Sequence, residues 1–86
     1  MAVEEQEQQP TKQRRIEPVY REIGARIRAA RLQRGLTQAA LAAKIGHARL
    51  SVNAMETARQ RVQVHTLYEI ARWLDVPIAA LLPSES

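Results

Sequence analysis

Cysteine is absent from the 86-residue chain. That excludes a disulfide framework and a thiolate zinc site, and it fits a reducing compartment. No apolar run approaches the roughly 20 residues that cross a bilayer, so no membrane contact is expected. The opening residues, MAVEEQEQQP, are acidic and glutamine-rich, the opposite of a secretory signal. Phenylalanine is missing, and Tyr20, Tyr68 and Trp73 make up the whole aromatic set. The ingredients of catalysis are missing too: no nucleophile beside a base, no carboxylate pair, no phosphate-cradling glycine loop. His47 and His65 are lone imidazoles without an acid or cysteine at ligand spacing. No metal, no cofactor and no enzymatic activity are therefore expected.

What is present is basic charge, and its distribution says more than its total. Thirteen Lys and Arg stand against nine Asp and Glu, a net charge of +4. Residues 1–15 carry three charges of each sign, so all of the excess falls on residues 16–86. Most of those bases are arginine, whose planar fork suits bidentate contacts with phosphate and with guanine edges. Such a balance permits nucleic-acid binding without establishing it.

Residues 36–58, LTQAALAAKIGHARLSVNAMETA, organise the rest of the chain. Their spacing predicts two short helices joined by a tight turn. Ala42 falls where the helices cross, and a larger side chain there would force them apart. Gly46 takes a positive φ at little cost, so the first helix can stop and the chain can turn. Val52 and Met55 lie three apart on the buried stripe of the second helix. Arg49, Leu50, Ser51, Asn53 and Ala54 are left facing outward. The pattern is a helix-turn-helix whose second helix is shaped to enter a DNA major groove.

Taken in order, residues 1–15 are almost free of apolar side chains and are expected to form a disordered tail. The tail turns from acidic (Glu4, Glu5, Glu7) to basic (Lys12, Arg14, Arg15) and is read as a solvated leader rather than an arm laid along DNA. The remaining residues, 16–86, form one domain. Its first helix starts near Pro18 or Val19, buries Ile23, Ile27 and Ala30, and stops at Gly35. Thr37 caps the second helix, which buries Leu41, Ala42 and Ile45. The third runs from about Arg49 to Thr57. A short basic link leads to a fourth helix over residues 64–74 that buries Leu67, Ile70, Ala71 and Leu74. Pro77 opens a last short helix carrying Ile78, Leu81 and Leu82. The fold class is all-α, a compact five-helix bundle with no competing strand pattern and no internal repeat.

Three stretches, IGARIRAARLQRGLTQAALAAKIG, VNAME and TLYEIARWLDVPIAALL, together resemble the Cro and lambda-repressor type, or XRE-like, helix-turn-helix family over residues 23–82. The resemblance implies roles. Arg49, Leu50, Asn53 and Ala54 would face base edges. Gln38, Ser51, Thr57, Arg59 and Arg61 would meet the phosphate backbone, with Gln38 also buttressing the recognition helix. Arg31 and Glu56 match a pair that forms a salt bridge between the first and third helices. The chain departs from the family pattern at Ala48, where a capping Ser or Thr is common. Ala58 and Asp75 replace glycines that follow helices three and four, and Val62 replaces a proline. Trp73 replaces a small residue; with Tyr68 and Ile78 it is assigned to a homodimer contact, the alternative being a cap on the core edge.

The function expected is sequence-specific binding of a palindromic double-stranded DNA operator by a homodimer that regulates transcription, as a repressor or autoregulator. A cytoplasmic, nucleoid-associated place in a bacterium or phage follows. The alternatives are an antitoxin-type module that neutralises a partner protein (a toxin, or contact with a polymerase) and a restriction-modification controller.

Overall fold

The computed structural model describes the backbone of residues 2–84 and the side-chain surroundings of residues 18–84. Four α-helices and one 3₁₀ turn follow in order: α1 (Ala2–Gln33), α2 (Gln38–Ile45), α3 (Arg49–Glu56), α4 (Val64–Leu74) and the turn Ile78–Leu81. Among the described residues there is no strand. The all-α class is as expected, but the fifth element is a 3₁₀ turn rather than an α-helix. With three residues per turn, Ile78 and Leu81 eclipse each other and face the core. Leu82, expected inside with them, is turned outward.

Helix α1 extends well upstream of the start expected near Pro18. Glu, Gln, Lys and Arg, which dominate residues 4–15, are good helix formers. Pro10 and Pro18 work against the helix, since each removes one i→i−4 hydrogen bond and crowds the carbonyl four residues back. The disordered tail proposed for residues 1–15 falls on side chains outside the described set.

Aliphatic side chains from every element converge on one core: Ile23 and Ile27, Leu41 and Ala42, Val52 and Met55, Val62 from the link, Leu67, Ile70, Ala71 and Leu74, and Leu81. Ala30 and Ile45, also expected there, lie only partly buried at its margin. Truncating Ile27, Leu41 or Ile70 to alanine would cost about 2–5 kcal/mol, much of the total stability of a small domain.

The turn between α2 and α3 is built as its sequence demands. Thr37 Oγ1 accepts a hydrogen bond from the Ala40 amide at 3.0 Å, and α2 ends at Gly46 with φ 71°. Helix α3 begins without such help, because the N-cap Ala48 has no side-chain oxygen. Two residues that replace family glycines are held in the left-handed region: Ala58 (φ 62°) after α3 and Asp75 (φ 59°) after α4. Asp tolerates this conformation through local hydrogen bonding; for Ala it costs about 1–2 kcal/mol.

Helices α1 and α3 meet at Gly24. A Cβ there would lie 2.4 Å from the Met55 carbonyl oxygen and 2.7 Å from that of Glu56. Backbone atoms cannot step aside as a flexible side chain can, so only glycine allows α1 to pass this close to the end of α3.

Candidate nucleic-acid interface

The buried side of α3 is anchored by Val52, Met55 and Glu56. On its other side Arg49 and Leu50 are exposed, and Ser51, Asn53 and Ala54 are half-buried. Leu50 retains 69% of its accessible surface. A leucine presented to water at the start of a helix is costly to leave uncovered, and it suits contact with an apolar group such as a thymine methyl.

A polar cluster fixes the helix from behind. Arg31 on α1 donates from Nε to Glu56 Oε2 at 2.6 Å and from Nη2 to Glu56 Oε1 at 3.1 Å, a bidentate ion pair. Its Nη1 donates to the Leu36 carbonyl at 2.8 Å. Gln38 Nε2 donates to Glu56 Oε1 at 3.0 Å, and Gln38 Oε1 accepts from Asn53 Nδ2 at 3.5 Å. One amide side chain thus ties α2 to both the buried carboxylate and the outer face of α3. Among the described residues no buried side-chain polar atom lacks a partner, the condition under which a buried ion pair is tolerated. Gln38 has one amide hydrogen left for a phosphate, as Asn53 has for a base.

The link after α3 carries the remaining phosphate candidates. Thr57 Oγ1 donates to the Asn53 carbonyl at 2.8 Å; its single hydroxyl proton must turn outward before it can serve a phosphate, which only accepts. The backbone amides of Arg59 and Gln60 both donate to the Ala54 carbonyl, at 2.9 and 3.2 Å. Arg59 is exposed, and Arg61 lies over the Tyr20 ring, 5.8 Å from its centroid.

The three residues assigned to a dimer contact are not on one patch. Tyr68 and Ile78 line a groove between α4 and the 3₁₀ turn, with Ala71 and Val76 at its floor. Trp73 lies on the other flank of α4, with Lys44 Nζ 4.8 Å from its ring centroid. The five-residue offset on a 3.6-residue helix sends the two side chains in different directions. His47 and His65 border one small cavity together with Glu69, a juxtaposition that their separation in the chain does not reveal.

A family model described as helix-turn-helix matches residues 27–81. The chain belongs to the XRE-type helix-turn-helix family. Solved members and relatives of this fold agree. The DNA-binding domain of BldD superposes with a TM-score of 0.71 at 30% identity, covering 78% of this chain and 97% of that domain. The restriction-modification controller protein C.AhdI from Aeromonas hydrophila gives a TM-score of 0.70 at 28% identity over 73% of this chain and 96% of its own. Hydroxypropylphosphonic acid epoxidase from S. wedmorenis gives 0.73 at 26% identity, but this chain spans only 36% of that protein. Among curated protein sequences none matches the chain.

Within the XRE-type frame, four features had no sequence-level signal strong enough to assign them. They are the Gln38–Asn53 bond, the Gly24 contact, the Lys44–Trp73 stack and the Tyr20–Arg61 stack. Each joins groups from different elements, side chain to side chain in three of them and backbone to backbone at Gly24. A glycine inside an otherwise helical run was the one available hint, since it normally costs about 1 kcal/mol there and asks for a packing reason.

Proposed function

We propose that this chain is a sequence-specific double-stranded DNA-binding regulator of transcription that acts as a homodimer, repressing or autoregulating by occupying a palindromic operator. Membership of the helix-turn-helix family, with the BldD and C.AhdI domains as neighbours, supports the DNA-binding regulator itself. The observation that carries the finer reading is the two-sided character of α3. Its rear is locked by the Arg31–Glu56–Gln38 cluster while Arg49 and Leu50 project unencumbered. A reading head must be rigid behind and open in front, because loose side chains lose entropy on every contact.

Arg49, Leu50, Asn53 and Ala54 then read base edges. Gln38, Ser51, Thr57, Arg59 and Arg61 hold phosphates and supply the salt-dependent part of the affinity. The groove bordered by Tyr68 and Ile78 serves the second copy, and Trp73 is left out of that contact. Among the described residues no helix is long and apolar enough to cross a membrane. The epoxidase likeness covers one module of a much longer chain and brings no catalysis with it.

Selection of bound fragments from random duplex DNA tests the proposal. The expected product is an inverted repeat whose half-sites lie about 34 Å apart, one turn of the duplex. Enrichment of a single asymmetric half-site would remove the homodimer. Failure to enrich any sequence would remove the regulator.

A further inference from the structure

Arg61 is the loop cation with a defined position. Among the described residues its side chain makes no ion pair and no hydrogen bond; its guanidinium carbon lies over the Tyr20 ring, 5.8 Å from the centroid. That lies within the range in which a cation is attracted by the negative face of an aromatic ring. Tyr20 is itself half-buried and packs on the core. It precedes Gly24 by one helical turn, so both fall on the same side of α1. Gly24 brings α1 against the Met55 and Glu56 carbonyls at the end of α3. The same close approach sets the Tyr20 ring beneath the link that follows α3. The link is further pinned by buried Val62 next to Arg61 and by the paired amides of Arg59 and Gln60 on the Ala54 carbonyl.

We infer that Tyr20 is a positioning residue for DNA binding: its ring holds the Arg61 guanidinium in place to receive a backbone phosphate. This rests on the proposed phosphate role of the link. An arginine side chain that is free in solution loses rotamer entropy on binding an anion. One already laid across a ring loses less, and among the described residues no acceptor takes up its N–H groups, which suit phosphate oxygens. Arg59, with no such ring beneath it, supplies charge without a fixed geometry.

The test is a double-mutant cycle on duplex DNA of random sequence, titrated from about 50 to about 200 mM NaCl. Arg61→Ala is expected to weaken binding and to lower the slope of log affinity against log salt by about one. Tyr20→Leu is expected to weaken binding about two- to fivefold, the value of an exposed cation–π contact, and to add nothing further in the Arg61→Ala background. Tyr20→Phe keeps the ring and is expected to bind as the parent does. A Tyr20→Leu loss that persists undiminished without Arg61, or a Tyr20→Phe loss as large as that of Tyr20→Leu, overturns the inference. If Arg61→Ala leaves affinity and slope unchanged, the phosphate role of the link fails first and Tyr20 falls with it.

Discussion

Single residues set both the stability of α3 and the selectivity proposed for it. Ala58 sits at φ 62°, where a Cβ is crowded. Ala58→Gly is expected to raise unfolding stability by about 0.5–1 kcal/mol, the relief of strain less the extra freedom of glycine in the unfolded chain. Urea titration followed by circular dichroism would show it, and a lower midpoint would contradict the strain. Ala48 leaves the first amides of α3 without a side-chain acceptor. Ala48→Ser should add about 1 kcal/mol by capping them, read from the same titration. Arg49 is exposed on the first turn of α3. Arg49→Ala is expected to cost about 1–3 kcal/mol on the selected operator and to relax preference at one base position; an unaltered binding motif would move Arg49 from base reading to phosphate contact.

Between elements, the Arg31–Glu56 pair is the joint that holds α3 against α1. Glu56→Ala would strand a buried guanidinium and is expected to cost about 3–5 kcal/mol, whereas Arg31→Met with Glu56→Leu should cost far less. Equal losses from the single and double variants would mean that the charges themselves, rather than the stranding of one, stabilise the joint. Elements were also the scale at which the sequence was most readable. The α2–turn–α3 unit was legible because Thr37, Gly46, Val52 and Met55 act through local rules of capping and periodicity. Helix α4 was legible from its apolar face. Of the joints, only Arg31–Glu56 was legible, through the family resemblance; Gln38–Asn53 and Lys44–Trp73 depend on how helices are set against each other, which a period cannot express. Periodicity also placed Tyr68 and Trp73 on one helix without resolving that they point to different flanks, and it overlooked the 3₁₀ geometry that turns Leu82 outward.

For the whole molecule, the proposed homodimer and the leader are the open elements of the design. Tyr68→Glu combined with Ile78→Glu is expected to shift the protein to a monomer by light scattering and to weaken operator binding steeply, while Trp73→Ala leaves the dimer intact. Loss of the dimer with Trp73→Ala instead would place the contact on the Lys44 flank. Removing residues 1–15 is expected to leave the salt slope unchanged, since a solvated leader neutralises no phosphate; a shallower slope would make Lys12, Arg14 and Arg15 phosphate contacts. The seam at Gly24 has room for a hydrogen atom and nothing more. A lone methyl there would drive a wedge into the joint at a cost of about 1–3 kcal/mol, enough to lower the melting point of so small a domain by several degrees or more. Gly24→Ala should therefore behave as a heat-sensitive allele, gripping the selected DNA in the cold and releasing it on modest warming although every side chain proposed to read bases is intact.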